Sequence, residues 1–228
     1  MDDALNFITG PLFSFSFAVF ILGSLRLGAI SIIDISRSMK NTMDRSIPWK
    51  ELVRETMSWM LPYGKILQTR RLYSVLSFVF HATLLTAIVF NQDHILLVRK
   101  TLGVKWPHIG ILAVDVISLL CIASICLIIF TRLSSRTGRS LTDGMDFLIL
   151  GTILITLLTG FIASKSFNPL SHGHMLLVHS VCGNAILVMI PFSRLGHWVV
   201  YPILWIATAI AWKLPVGTTS EAGKTEIG

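Results

Sequence analysis

Charged residues are scarce in this chain. Aspartate, glutamate, lysine and arginine make up 14% of the 228 residues, 53% are hydrophobic, and the mean hydropathy is +0.73. A soluble domain of this length carries about a quarter charged residues. The start, Met1-Asp2-Asp3, lacks the positive charges of a signal peptide, and the apolar run after it is too long for one. The composition therefore predicts a multi-pass membrane protein that retains its first apolar segment.

Cysteine is almost missing. Cys121, Cys126 and Cys182 form no C-x-x-C or C-x-x-C-H pattern, so disulfide, zinc and c-type haem sites have no support. We expect these residues to be small core side chains. The sequence also has no nucleotide-binding motif, no iron–sulfur cysteines and no internal repeat. These absences argue against an enzyme that is catalytic alone, and against a repeat-built transporter that relays protons through histidines.

Five apolar segments are long enough to cross a bilayer, which takes about 20 residues of helix. They are residues 8–33, 73–97, 109–131, 145–164 and 174–200. The predicted fold is therefore an all-α integral membrane protein, a five-helix transmembrane bundle forming a single domain over residues 1–216. Three further segments are expected outside the bilayer: amphipathic helices in the loop 35–72, an interfacial stretch at 203–212, and a disordered tail at 217–228.

Positive charge is concentrated on one side of the predicted bundle. Lys and Arg accumulate in cytoplasmic loops, so the net charge of +7 predicts orientation rather than nucleic-acid binding. The predicted inner segments contain Arg37, Lys40, Arg45, Lys50, Arg54, Lys65, Arg70, Arg71, Arg132, Arg136, Arg139, Arg194, Lys213 and Lys224. The opposite loops contain Arg99, Lys100, Lys105 and Lys165. We expect the N-terminus outside and the C-terminus in the cytoplasm, in a prokaryotic inner membrane.

Four histidines lie where two facing helices could share them. His81 and His179 are embedded in apolar sequence, where an ionisable residue indicates function by default. Antiparallel packing of the second and fifth spans places His81 level with His197, and His94 level with His179. On a straight helix, His179 and His197 share one face about 27 Å apart. Two level imidazole pairs are what bis-histidine b-type haem requires.

His94 is out of phase with His81. The step between them turns an ideal helix by about 220°, so the two rings do not share a face. The second span must therefore be irregular, or His94 must lie beyond its regular part. Asn91, nearby, is no haem ligand. The inner pair of histidines meets no such difficulty. The remaining histidines, at helix ends or in loops, are expected to be polar side chains at headgroup level: His108, His172 and His174.

Short motifs along nearly the whole chain resemble a known family. They are Trp49-Lys50, the segment 59–64 (WMLPYG), 78–81 (FVFH), 94–97 (HILL), 113–115 (AVD), 141–143 (LTD), 159–161 (TGF) and 190–197 (IPFSRLGH). They are similar to the gamma, cytochrome b subunit of respiratory nitrate reductase. They resemble more closely the membrane cytochrome b subunits of heterodisulfide-reductase-like transmembrane redox complexes of sulfate-reducing bacteria. Members of that family often carry prolines where this chain has Ala87 and Leu158.

The resemblance implies two haems b, with His81, His94, His179 and His197 as iron ligands. Arg194 is a candidate partner for a propionate of the inner haem, because a guanidinium binds carboxylate strongly; an arginine that snorkels to the headgroups is the competing interpretation. Asp115 and Lys100 are candidates for a quinone site on the outer side. A structural aspartate is the alternative at Asp115.

Together these features predict a dihaem b subunit of a respiratory complex. It would pass electrons between the quinone pool and a partner. Without its other subunits it would not be catalytic. The basic inner loop favours a cytoplasmic iron–sulfur subunit, which the resemblance implies is heterodisulfide-reductase-like, and a periplasmic multihaem cytochrome c is a further candidate. The alternative is a haem-poor membrane anchor that docks a soluble redox subunit without passing electrons.

Overall fold

The computed structural model describes residues 1–41, 50, 71–165, 169–197 and 199–200. No strand occurs among these residues. We number the α-helices in chain order: α1 Asp2–Phe7, α2 Phe13–Asn41, α3 Arg71–Phe90, α4 Gln92–Leu102, α5 Ile111–Ser134, α6 Arg136–Leu141, α7 Gly144–Ala163 and α8 His172–Met189.

Five helices in the described part are long and apolar enough to cross a membrane. They are Asp2–Arg37, Arg71–Phe90, Ile111–Ser134, Gly144–Ala163 and His172–Phe192. The predicted all-α class and the five helices long and apolar enough to span are therefore confirmed. The first helix continues to Asn41, well past the predicted end at residue 33. The predicted interfacial stretch, the tail, and most of the loop 35–72 lie outside the described residues.

The first helix contains one turn of π-helix, Ile8–Leu12, between α1 and α2. Pro11 lies inside this turn, and proline has no N–H for the helical ladder, so the wider turn accommodates the missing bond. The carbonyl of Ile8 accepts a hydrogen bond from Asn184 Nδ2 at 3.2 Å. Asn184 is itself buried. The start of the first helix is thereby tied to α8.

The chain divides into two compact units, and each is described by itself. Unit 1 comprises Met1–Val19 and Pro62–Met189, and unit 2 comprises Phe20–Leu61 and Ile190–Gly228.

In unit 1, α3 and α5 run antiparallel. Ile109 N donates to Phe90 O at 3.1 Å, which places the start of α5 beside the end of α3. Arg132 Nη2 donates to Tyr73 Oη at 3.0 Å, which places the end of α5 beside the start of α3. Between these ends lies Cys121, fully buried as predicted. Cys126 is exposed, so the expectation of a core side chain is wrong there, because it lies on another face of α5.

Helices α7 and α8 of unit 1 form a second antiparallel pair. His172 Nδ1 donates to Ala163 O at 3.0 Å, so α8 begins beside the end of α7. Lys165, just past α7, forms an ion pair with Asp115 near the start of α5. The ends of α3 and α7 and the starts of α5 and α8 therefore lie at one end of unit 1. We call this the His94 end, and the opposite one the Arg132 end.

The second predicted span is interrupted at Asn91. Helix α3 ends at Phe90, Asn91 is extended (φ −73°, ψ 131°), and α4 begins at Gln92. The side chain of Asn91 accepts a hydrogen bond from Asp93 N at 3.1 Å, as an N-cap does. A continuous helix over 73–97 is therefore wrong. Of the two predicted alternatives, the structure shows His94 beyond the regular part of the span, and the break is caused by a cap rather than a proline.

The fifth predicted span is also shorter than expected. Helix α8 ends at Met189, and two 3₁₀ turns follow in unit 2, Ile190–Phe192 and Arg194–Gly196. The prediction of one straight helix that carries both His179 and His197 on one face is therefore wrong. Pro191 interrupts the helical ladder at this point, because it has no N–H to donate.

Unit 2 packs α2 closely against these 3₁₀ turns. A Cβ placed on Gly23 would lie 2.6 Å from Pro191 Cγ, and one on Gly196 would lie 3.1 Å from Leu27 Cδ1. The first of these distances is far below van der Waals contact. Glycine at position 23 therefore allows the proline ring to lie directly on the helix backbone.

Candidate functional site

His94 lies in the first turn of α4, just beyond the interruption at Asn91. Its Nδ1 donates to the carbonyl of Ile88 at 3.0 Å. A carbonyl oxygen only accepts, so Nδ1 carries the ring proton and Nε2 is the nitrogen with the lone pair. This backbone contact fixes both the orientation of the ring and its tautomer, as is usual for a histidine that binds a metal.

The last carbonyls of α3 are satisfied by residues from the following segment. The end of a helix leaves its last four carbonyls without partners in the helical ladder. Ile88 O accepts from His94 Nδ1, Val89 O from Trp106 Nε1 at 2.7 Å, and Phe90 O from Ile109 N at 3.1 Å. The segment from α4 to α5 is therefore folded back over the end of α3. His94 is part of this cap rather than a free surface residue.

His179 lies two turns into α8 and contacts α7. Its Nδ1 donates to the carbonyl of Thr156 at 2.8 Å, which again leaves Nε2 with the lone pair. Gly160 is four residues after Thr156, and a Cβ there would lie 2.7 Å from His179 Nδ1. In a helix the side chain at this position covers the carbonyl one turn earlier. Glycine leaves that carbonyl open, and the imidazole occupies the space.

The rings of His94 and His179 are parallel and stacked within unit 1. Their centroids are 6.0 Å apart and their planes differ by 2°. A metal–imidazole bond is about 2.0 Å, and a ring nitrogen is about 1.1 Å from the ring centre, so two rings on one metal have centroids about 6.2 Å apart. The observed separation of the ring centres therefore matches that of two imidazoles that would hold one iron through Nε2. Both rings also have the tautomer that such ligation by Nε2 requires.

The surface of α8 beyond His179 is open at Gly183. Gly183 is one turn beyond His179, so both lie on the same face of the helix. A Cβ placed on Gly183 would meet no atom within 4 Å. This space is open in the described structure, whereas the space at Gly160 is filled by the imidazole. The donor set of two imidazoles, each with the lone pair on Nε2, therefore fits a bis-histidine haem. No three His, Cys, Asp or Glu side chains converge within the described ranges to hold a bare ion.

The predicted inner ligands belong to different units. In unit 1, His81 is exposed on α3, its Nδ1 donates to Ser77 O at 2.7 Å, and its ring meets Phe80 edge-on at 5.2 Å. In unit 2, His197 is exposed at the end of the second 3₁₀ turn, and its Nδ1 donates to Arg194 O at 2.9 Å. Both rings thus have the same tautomer as the outer pair.

The predicted quinone residues separate into two environments. Asp115 is half-buried on α5 and forms an ion pair with Lys165, whose ammonium also lies 4.8 Å from the centre of the Phe161 ring. Phe161 directly follows Gly160, so this pair is at the same end of unit 1 as His179. Lys100 is exposed in the last turn of α4. The sequence reasoning named Lys165 only as a loop cation and missed its pairing, because the partner is fifty residues earlier in the chain.

The remaining histidines are not part of the pair. His108 is exposed in the segment before α5, His172 caps Ala163 O, and His174 Nδ1 lies 2.5 Å from Ser171 Oγ. His172 and His174 thus make local contacts at the start of α8. The structure therefore brings together one predicted pair, His94 with His179, and gives these three histidines other surroundings.

Comparison with known proteins adds one relative. No protein-family model and no solved structure matches the chain. A protein from Nitratidesulfovibrio vulgaris (strain Hildenborough), a sulfate-reducing bacterium, is 26% identical over 203 residues, which are 86% of this chain and 87% of the relative. The name given to that relative, "Protein", states no activity. The similarity extends over nearly the whole of both chains.

Proposed function

We propose that this chain is a dihaem b membrane subunit that carries electrons between the quinone pool and a partner redox protein. The observation that supports it most directly is the parallel arrangement of the His94 and His179 rings, with centroids 6.0 Å apart. These two residues hold the outer haem, and the sequence pattern predicts His81 and His197 as the ligands of the inner one. Bound haem would supply one-electron redox chemistry. The chain contributes the ligands, their tautomers and their orientation.

The contacts of the outer histidines support a redox role beyond simple packing. Each Nδ1 donates to a backbone carbonyl, at 3.0 Å for His94 and 2.8 Å for His179. Such bonds hold a ligand ring in place and raise the basicity of its other nitrogen. A histidine that only filled space between apolar helices would not need a glycine on the neighbouring helix to make room for its ring. Gly160 makes that space for His179.

The quinone site belongs at the His94 end of unit 1. A quinol releases protons as it is oxidised, so the site needs a group that accepts them. Asp115 is a carboxylate at this end, and Lys165 holds it in place through their ion pair. Phe161 lies beneath the lysine and next to Gly160, so the acceptor is close to the contact between α7 and His179. Lys100 is a second cation at this end.

The orientation and partners follow from the charge of the loops. The Arg132 end and the basic segment 35–72 face the cytoplasm, and the His94 end faces outward, in a prokaryotic inner membrane. The basic inner face suits a cytoplasmic iron–sulfur subunit, heterodisulfide-reductase-like by resemblance, and a periplasmic multihaem cytochrome c suits the outer face. That the relative comes from a sulfate-reducing bacterium agrees with this setting.

The decisive experiment is the haem b content of the purified protein, measured as the pyridine haemochrome, with His94→Ala, His197→Ala and His108→Ala variants. We expect two haems b per chain, one lost with His94→Ala and one with His197→Ala. His108→Ala is the matched control, since this exposed histidine lies outside both pairs. If the protein held a single haem b that was lost only in His197→Ala, the proposed outer haem site would be wrong. No haem b at all would overturn the proposal in favour of a haem-free anchor.

The orientation has its own test. A cysteine replacing Lys105, between α4 and α5, should react with a membrane-impermeant maleimide added outside intact cells. A cysteine replacing Ser135, between α5 and α6, should react only after the cells are opened. The background should first be freed of Cys126, which is exposed. The reverse pattern would invert the orientation without affecting the haem assignment.

A further inference from the structure

An open cavity with both polar and apolar walls lies at the Arg132 end of unit 1, where it plays no part in the haem or quinone sites. Its volume is about 470 Å³. It lies between the first turn of α3, the last turns of α5, and α6. The residues that line it are Arg71, Leu72, Tyr73, Thr131, Arg132, Ser135, Gly138 and Thr142. Two guanidinium groups and several hydroxyls therefore surround one space, which is large enough for a small ligand or a headgroup.

The positive charge of this cavity is not balanced within the described ranges. Neither Arg71 nor Arg132 forms a salt bridge there, since the ion pairs found join Arg37 with Asp34 and Lys165 with Asp115. Arg132 is half-buried, and its Nη2 donates to Tyr73 Oη at 3.0 Å. That bond uses one of the five N–H donors of a guanidinium and holds the group across the cavity. A partly buried guanidinium that has no counter-ion among the described residues favours binding of an anion.

The position of the cavity indicates which anion. Arg71 is the first residue of α3, and Arg132 is two residues before the end of α5, so both lie where spanning helices leave the bilayer. In the proposed orientation, such helix ends lie at the depth of lipid phosphates. Leu72, at the rim, is 68% exposed and offers an apolar surface beside the charges. A ligand that combines an anionic phosphate with an apolar part suits both features.

We infer that this cavity binds the phosphate group of an anionic glycerophospholipid. Arg132, held by Tyr73, and Arg71 donate charge-assisted hydrogen bonds to the phosphate oxygens. The hydroxyl of Ser135 accepts from Gly138 N and keeps its own proton as a further donor. Guanidinium stays charged at any accessible pH, so binding should weaken with salt and hardly change with pH. The inference is independent of the haem assignment, since no haem ligand lines the cavity.

The test uses the full chain in detergent with equal amounts of phosphatidylglycerol and phosphatidylcholine, and reads the bound lipid by native mass spectrometry. We expect phosphatidylglycerol to be retained selectively. Arg132→Gln should reduce that retention at least about tenfold, as the loss of one charge-assisted hydrogen bond implies. Arg136→Gln is the matched control, because it removes the same charge from an exposed neighbour that does not line the cavity.

Tyr73→Phe gives a second variant in case Arg132→Gln folds poorly. It keeps the ring and removes only the hydroxyl that holds Arg132, so a selective loss of phosphatidylglycerol in a stable protein would support the site. A parallel sample with inorganic phosphate separates the two sources of phosphate. If the protein showed no preference between the two lipids and inorganic phosphate displaced them, the ligand of the cavity would be free phosphate and not a lipid. Equal retention in all variants would overturn the inference.

Discussion

At the scale of single residues, Gly160 decides where the His179 ring lies. An added methyl group would come within 2.6 Å of His179 Cε1, in the space that the imidazole now occupies. The same glycine leaves the Thr156 carbonyl open to His179 Nδ1. The sequence reasoning noticed it only as part of a TGF motif. A small residue one turn after a hydrogen-bonding carbonyl is the signal that could have found this contact.

Replacing Gly160 with alanine should displace the His179 ring. We expect a loss of about 1–3 kcal/mol in the free energy of unfolding, as is usual for overpacking, together with loss of the outer haem. Gly151→Ala on the same helix is the control, because a Cβ there meets nothing within 4 Å. Denaturant unfolding in detergent and the haemochrome assay measure the two effects. Equal behaviour of the two variants would contradict the proposed role of Gly160.

The ion pair between Asp115 and Lys165 gives a second prediction at this scale. The side chains are 21% and 32% exposed, so solvent screens their attraction only in part. In a double-mutant cycle with Asp115→Asn and Lys165→Gln, we expect a coupling of about 1 kcal/mol in the free energy of unfolding. Quinol oxidation should fall more in Asp115→Asn than in Lys100→Gln. Similar oxidation rates in these two variants would remove Asp115 from the quinone site.

At the scale of elements, the interruption at Asn91 sets the position of His94. A continuous helix would turn the ring about 220° away from the face of His81. The cap instead ends α3 and starts α4 in a new direction. Asn-Gln-Asp directly after an apolar run is an N-cap signal, so the break could have been recognised from the sequence. Hydropathy alone does not show this break, because apolar sequence resumes soon after the cap.

Asn91→Ala should therefore weaken the outer site. Loss of an N-cap costs about 1 kcal/mol, and we expect a lower thermal midpoint and partial loss of the outer haem. Asn91→Asp keeps an oxygen that can accept from Asp93 N, so it should retain both properties. Thermal unfolding followed by circular dichroism, beside the haem content, compares the two variants. If Asn91→Asp failed as completely as Asn91→Ala, the cap would not explain the effect.

At the scale of the whole molecule, the spans were the most predictable feature. Apolar runs match the observed helices to within a few residues at α5 and α7, because the bilayer thickness sets their length. The ends of α3 and α8 were predicted poorly. There, Asn91 and Pro191 stop the helix inside sequence that is still apolar, and hydropathy does not register a cap or a missing N–H. The prediction that His94 and His179 lie at the same height in the bundle required only that the second and fifth spans be antiparallel.

Because the chain divides into two units, we expect substitutions at Gly23 and Gly160 to act independently of each other. Gly23 packs on Pro191 within unit 2, whereas Gly160 packs on His179 within unit 1. We expect Gly23→Ala to affect the haem of His197 and to spare that of His94, with the opposite pattern for Gly160→Ala. The effects on the unfolding free energy should add in the double variant, since the sites share no contact partner. Redox titration of each variant would distinguish the two haems, and loss of both haems with either change would contradict the division.

The cap over α3 also provides an intrinsic fluorescence probe of the outer site. The indole of Trp106 is held on Val89 O, one residue from the Ile88 carbonyl that orients His94. Indole emission overlaps the absorption of b-type haem, so a haem at His94 would take up the excitation of this ring by energy transfer. The chain has six tryptophans, and Trp106→Phe isolates the contribution of this one. Filling of the outer site can thus be followed as a loss of fluorescence that disappears in that variant.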